Sequence, residues 1–452
     1  MQKLSGKNLL LVGFTLFSMF FGAGNLIFPP HLGAQAGTSL WPAFAGLAVS
    51  AVGLPIAGVV AVARAGGLDK LAGRVHPVFA MVFTILVYLS IGPCLAIPRT
   101  ASTSFQMLVP LIGGGTGLQL AYSVLFFAAA FLVALRPEKL TDWLGRILCP
   151  CLIVLIVVLF AGCLIHPLAA HYGTPSAEYA ALPAVQGILY GYQTMDALAA
   201  LPFGILVLQS VVDKGYAEPG KKFRIMSGSS ILACVLLLAV YMGLAYLGAT
   251  VSAQYTSEIG RAQLVMAIVE ALMGKTGMIL FGIVVGLACV TTAVALTSSA
   301  AAYFSKLCRG KVSYKAFVIA ICVFSAVVSN LGLDRIVAIA APVLDIVYPP
   351  TLVLIFIALV RPQLPDRISR GAALGALLMS VLCTLDGYGV PLTFLHKLPL
   401  FELGFAWVLP SVLMIGLLYM MFSRMGGGGG IMGVGKSTAK MYVEKQTGVT
   451  FK

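Results

Sequence analysis

Between Leu9 and Phe422 one apolar stretch of bilayer length follows another, and no other feature limits so severely what this chain can fold into. A hydrocarbon core about 30 Å thick takes roughly 20 apolar residues per helix. Twelve such stretches stand at about 8–34, 40–63, 76–98, 117–135, 145–166, 186–210, 226–249, 276–304, 316–332, 336–360, 371–386 and 404–422. Backbone polar groups in lipid must be paired inside the protein, which leaves helices or a closed barrel. Barrel strands alternate in polarity, and these runs do not. The expected fold is therefore an all-α polytopic membrane protein of about twelve transmembrane helices. Charged residues make up only 10% of the 452, against roughly 25% in soluble domains. The leading stretch carries glycines, prolines and an asparagine rather than a small-residue cleavage site, so it is expected to remain in the mature protein.

The formal net charge of +14 would point to nucleic acid in a soluble protein. Along this chain it marks topology instead, because cytoplasmic loops collect Lys and Arg. With the N-terminus inside, 24 of the 29 basic residues fall on the cytoplasmic side. Only Arg99, Arg261, Lys275, Arg335 and Lys397 fall outside. Both termini are expected in the cytoplasm of a multi-pass cell (inner) membrane protein, with the lipid bilayer rather than nucleic acid as partner.

Two stretches are interrupted at matching places. The first carries Gly22-Ala23-Gly24-Asn25 followed by Pro29-Pro30, and the sixth carries Gly191 to Asp196 followed by Pro202 and Gly204. Glycine and proline also serve ordinary helix crossings in membranes. Here Asn25, Gln193, Thr194 and Asp196 cluster at the interruptions, and unwound backbone at membrane depth is tolerated where it is buried or lines a cavity. Interruptions five helices apart are what two inverted repeats of five helices produce, about 8–166 and 186–360, with two helices added.

Phe21-Gly22-Ala23-Gly24-Asn25-Leu26-Ile27-Phe28-Pro29-Pro30, Gly92-Pro93, Ile97-Pro98-Arg99-Thr100-Ala101, Gly191-Tyr192-Gln193-Thr194-Met195-Asp196-Ala197-Leu198 and Ala288-Cys289-Val290-Thr291-Thr292-Ala293 resemble the bacterial branched-chain amino acid:cation symporters. The resemblance runs from about residue 5 to 400. It implies a LeuT-like inverted-repeat fold and import of leucine, isoleucine and valine by symport with sodium. No enzyme activity and no cofactor are expected. Proton-coupled symport of the same or other neutral amino acids is the alternative.

A zwitterion needs donors for its carboxylate and acceptors for its ammonium. Unwinding at residues 22–26 would aim the amides of Ala23 and Gly24 from a half-helix N-terminus, which suits a carboxylate. Asn25 is a ligand or a clamp on the interruption. Carbonyls freed at Tyr192, Gln193 and Thr194 would await an ammonium. Asp196 beside them is an intramembrane acid, hence a site candidate, or else a cap on the helix that restarts there. Tyr88, Ile91, Met195 and Leu198 are candidates for the side-chain pocket. Asp345 is read as a second buried acid.

Ala288, Thr291 and Thr292 share one helix face at i, i+3 and i+4. By resemblance to the superfamily's shared sodium site, the two threonine hydroxyls and the Ala288 carbonyl would be joined by carbonyls near Ser18 and Phe21. Threonines also bond back to their own helix, and Leu296-Thr297-Ser298-Ser299 is a rival patch. The seventh stretch offers no asparagine for a second sodium, so a single coupling cation is expected.

The transporter unit is expected to end near residue 423. The tail 424–452 is glycine-rich, basic and expected to be disordered. Its Gly430 to Ser437 match the phosphate-loop pattern but follow no strand and precede no domain. The tail resembles the linker of membrane-anchored AAA+ zinc proteases, which leaves a protease anchor or subunit as a reading of another class. The five histidines lack ligand spacing, and the nine cysteines form no C-x-x-C pair, so no metal-binding motif is assigned.

Overall fold

The computed structural model describes residues 6–425 except 136, 167, 170, 214, 217 and 256–258. The predicted tail from 426 onward lies outside the described residues. The first interrupted span is α1 (Gly6–Phe20) and α2 (Ala23–Ala36). The second is α3 (Leu40–Ala48) and α4 (Leu54–Ala65), joined by one π-helical turn, and short α5 (Leu68–Gly73) follows. The third is α6 (Pro77–Leu89), a π-helical segment Ser90–Cys94 and α7 (Ala96–Ile112); α8 (Thr116–Ala134) and α9 (Pro137–Ile165) are the fourth and fifth. After short α10 (Ala177–Ala181), α11 (Pro183–Tyr192) and α12 (Asp196–Asp213) form the sixth. Then come α13 (Pro219–Thr250), α14 (Arg261–Leu307), α15 (Tyr314–Ser329), α16 (Leu333–Val360), α17 (Asp366–Gly387) and α18 (Val408–Met425).

Among the described residues seven helices are each long and apolar enough to cross a bilayer, and α11 with α12, bent by 49°, makes an eighth. One of the seven, Gly24–Ala65, has 42 residues, or ~63 Å at 1.5 Å per residue, twice a bilayer core. It turns at Gly37, whose φ of +47° lies in the left-handed region, so α2 and α3–α4 are separate spans. Shorter apolar helices lie at Leu9–Phe20, Pro150–Ile165, Tyr314–Ser329 and Val408–Met420. Each of the twelve predicted stretches therefore has its helical segment. The outward surface is apolar, with Leu125 and Val327 about 70% exposed, as lipid contact requires.

Both halves of each interrupted span pack on an unbroken partner: α1 and α2 on α13, α11 on α3, α12 on α4. Glycine permits two of these contacts to be backbone against backbone. A Cβ on Gly33 would fall 1.9 Å from the Ala245 carbonyl, and one on Gly248 1.8 Å from that of Pro30. The pair Gly46 and Gly187 does the same between α3 and α11, 2.0 Å from the Ala184 and Ala43 carbonyls. The remaining wall comes from α7 and α14, which pack on each other.

Two predicted edges move. The third stretch does not end at 98: its helix bends at Gly92 and continues to Ile112. Arg99, placed by sequence in an outer loop, is a buried helical residue. The eighth begins at Arg261 rather than 276, with a break at Gly274 (φ +64°).

Candidate functional site

At the first interruption the ladder's last bond runs from Phe21 N to the Phe17 carbonyl (2.8 Å). Past it, the carbonyls of Ser18 to Phe20 have lost their helical donors. Gly22 is extended, and α2 starts without a side-chain cap, so its first amides are uncapped. Asn25 fastens the interruption. Its Nδ2 donates to the Phe20 carbonyl (2.8 Å) and to Asp196 Oδ2 (3.0 Å), and it contacts the Tyr241 hydroxyl, which itself donates to Asp196 Oδ2 (3.2 Å). One buried cluster thus ties the two interrupted spans to α13.

At the second interruption the chain tightens into i→i−3 turns. Gln193 N, Thr194 N and Met195 N donate to the carbonyls of Tyr190, Gly191 and Tyr192 at 3.0–3.2 Å. Met195 then takes φ +65°, a left-handed conformation rare outside glycine and a mark of functional sites. The Thr194 hydroxyl, donating to the Gly191 carbonyl (2.9 Å), accepts the Asp196 amide (3.4 Å). The bonded oxygen of Asp196, Oδ2, serves Asn25 and Tyr241 rather than an amide of α12.

The expectation of waiting carbonyls fails here. Arg99 Nη1 donates to the Gln193 carbonyl (2.5 Å) and Nη2 to the Thr194 carbonyl (2.9 Å), while Tyr192's takes Met195 N. A cation from α7 already donates to two of the three acceptors that sequence assigned to an ammonium. Beyond it, Phe28 lies between Arg99 and Arg261, 5.4 and 5.9 Å from its ring centre. Arg261 donates to the Tyr190 hydroxyl (3.2 Å) and pairs with Asp334 (2.8 Å), and Tyr190 also bonds His31 (2.7 Å).

Asn25, Arg99, Thr194, Met195 and Asp196 border a small cavity of about 40 Å³, room for a few water molecules. Of the predicted substrate residues Gly24, Asn25, Thr194 and Asp196 line it, and of the predicted cation residues Thr292 does. Ala23 opens α2 next to Gly24. Tyr192 and Gln193 do not line it; the Tyr192 ring stacks on Tyr348 at 4.4 Å. Ile91 and Met195 line it as expected, but Tyr88 stacks on Tyr303 at 4.2 Å and Leu198 is absent from the wall. Asp345 is exposed on α16 and so is not a second buried acid. Sequence reasoning missed Arg99, Thr100, Phe20 and Phe203. The signal for Arg99 was available, because it is the sole charge between Pro77 and Ile112, and intramembrane arginine is functional by default.

Thr292 stands against the first interruption, its Oγ1 3.2 Å from where a Gly22 Cβ would be. Both Thr291 and Thr292 hydroxyls donate to the Ala288 carbonyl, at 2.8 and 3.0 Å. That carbonyl is a saturated acceptor, whereas each hydroxyl, its hydrogen engaged, keeps lone pairs for a cation. Phe21 and Ser18 do not line the cavity. The rival Thr297 and Ser298 hydroxyls are buried beside Cys322 and Tyr314.

Helices interrupted in pairs around a central cavity define an all-helical membrane protein of LeuT-like fold, and known structures agree. MhsT in complex with L-phenylalanine aligns with a TM-score of 0.55 at 16% identity, covering 86% of this chain and 98% of that one. The inward-facing conformation of Mhp1 aligns at 0.59 with 13% identity, covering 91% of each. In sequence, residues 5–425 match the model of the branched-chain amino acid transport protein family. The permease BraB of Bacillus subtilis (strain 168) is 36% identical over 430 residues, 92% of this chain and 96% of that protein. The branched-chain amino acid transport system 2 carrier protein of Pseudomonas aeruginosa is 38% identical, covering 91% and 95%. The chain belongs to the branched-chain amino acid transport protein family, a family of transporters rather than enzymes.

Proposed function

We propose that this chain is a secondary active carrier that imports leucine, isoleucine and valine together with sodium. The cavity supports this most directly: within this family, two interrupted helices meet at one cavity, with a hydroxyl of α14 against one interruption. The substrate lies against Gly24, Asn25, Thr194 and Asp196, with the uncapped amides of Ala23 and Gly24 toward its carboxylate. Its side chain sits among Met19, Phe20, Ile91, Met195 and Phe203. One methylene in such a pocket is worth only ~1–3 kcal/mol, so the three amino acids compete.

Sodium sits between α1 and α14, on the Thr291 and Thr292 hydroxyls and the carbonyls of Ser18 and Phe21. The Ala288 carbonyl holds the hydroxyl hydrogens away from it. Sodium there favours the arrangement in which the first interruption is formed, so sodium and substrate tighten each other by one factor. Residues 8–166 and 186–360 act as inverted repeats within a transporter unit 1–423, and both termini face the cytoplasm of the cell (inner) membrane.

Uptake of labelled leucine into proteoliposomes tests the whole reading. An inward sodium gradient is expected to drive accumulation above sodium-free controls. Accumulation under a proton gradient alone replaces the coupling ion, and none under either gradient rejects secondary transport.

A further inference from the structure

We propose that Arg99 binds the carboxylate of the substrate while Asp196 binds its ammonium, so that the cavity selects a zwitterion through one fixed charge of each sign. This rests on the transport reading and adds a residue and an orientation to it.

Arg99 and Asp196 are 5% and 6% exposed and both line the cavity. They are absent from the salt bridges of the described residues. Two opposite charges thus face one cavity without forming an ion pair, each hydrogen-bonded to neutral partners. Arg99 spends two of its five N–H donors on the Gln193 and Thr194 carbonyls. Those bonds fix the guanidinium plane and remove both carbonyls from competition for an ammonium.

The anion side is marked a second time. A Cβ on Gly24 would fall 2.9 Å from Arg99 Nη2, so the guanidinium lies directly beside the uncapped start of α2, the positive end of that helix. Asp196, lining the same cavity, takes its bonds from Asn25 and Tyr241 on Oδ2. Buried charges are costly unless ionically paired. A bound zwitterion pairs both at once, whereas an amine or an acid pairs one and leaves the other.

The test is equilibrium binding to the purified full chain in saturating sodium, with three probes: L-leucine, L-leucinamide, which lacks the carboxylate, and 4-methylpentanoate, which lacks the ammonium. Wild-type protein is expected to prefer leucine over each analogue by about 10- to 100-fold, the range of one lost hydrogen bond to a charged group. Arg99→Gln is expected to weaken leucine far more than leucinamide, so that the two bind at one level. A merely structural arginine would weaken both probes equally and preserve their ratio, which overturns the proposal. Should Arg99→Gln not fold, Arg99→Lys takes its place. It keeps the charge but loses the fork, so it should retain the preference over leucinamide with leucine binding about tenfold weaker; unchanged leucine affinity also overturns the proposal. Wild-type protein that binds none of the three refutes the transport reading, whereas leucine binding no tighter than leucinamide refutes only the role of Arg99.

Discussion

The two interruptions look alike in sequence and are fastened differently. The first is held by its own Asn25, reaching back to the Phe20 carbonyl, and the amides that follow are left uncapped. The second is held by a foreign side chain, Arg99 of α7, which fills its carbonyls. The same defect thus exposes donors in one span and hides acceptors in the other. Unwinding a helix frees groups of both kinds, and what a ligand meets is decided by which of them the neighbours have already taken.

The largest expected effect concerns glycine at the first interruption and beyond it. Gly33 lies against the α13 backbone, whereas the nearest atoms around Gly24 are side chains of Arg99 and Phe28. Gly33→Ala has to push two helices apart, at an overpacking cost of roughly 1–3 kcal/mol or more, and should sharply reduce the folded yield in a detergent stability assay. Gly24→Ala is expected to fold nearly as wild type but to bind leucine about tenfold more weakly, because the methyl displaces a guanidinium that the Gln193 and Thr194 carbonyls hold in place. If Gly24→Ala proves as unstable as Gly33→Ala and binds normally per folded molecule, the first interruption is a packing device and the contrast collapses.

A middle-sized effect is expected at the cation. Thr292 touches the first interruption, whereas α14 reaches the second span from its far end, through Arg261 and the Tyr190 hydroxyl, so sodium at Thr292 should act on the first interruption. Thr292→Ala should raise the sodium concentration for half-maximal leucine binding by roughly tenfold, ~1.4 kcal/mol, with binding recovering at saturating sodium. Thr297→Ala should leave the sodium dependence in place. The reverse pattern moves the cation to the Thr297 and Ser298 hydroxyls further along α14.

Most of the fold was legible because bilayer length and glycine–proline interruptions are local signals. Phe21 to Pro30 and Gly191 to Asp196 gave away both broken spans. Half of the site was not local. The partner of the Gln193 carbonyl is 94 residues earlier, and Asn25 and Asp196 meet across 171 residues. Arg99 was misplaced because a bilayer-length window closes the third span at Pro98. The π-helical segment at Ser90–Cys94 and the bend at Gly92 let that helix run on to Ile112. Tyr88 carried no sign that Tyr303 would take its ring.

The smallest effect belongs to the Tyr241 hydroxyl, and it probes how the first interruption is fastened. The Asn25 amide has two hydrogens, yet three acceptors are within its reach: the Phe20 carbonyl, Asp196 Oδ2 and the Tyr241 oxygen. Removing the tyrosine oxygen therefore leaves one acceptor for each hydrogen, and the fastening of the interruption survives. Tyr241→Phe keeps the ring in its fully buried place and loses only the bond to Asp196, about 1 kcal/mol. The expected outcome is a slight drop in thermal stability and a change in leucine affinity below about fivefold. Asn25→Ala, which strips the Phe20 carbonyl and Asp196 of a donor together, should cost several times more by the same measurements. Equal losses for the two variants would mean that the hydroxyl, rather than the amide, holds α2 to the rest of the site. In that case the first interruption is fastened from outside, through α13, and no longer differs in kind from the second.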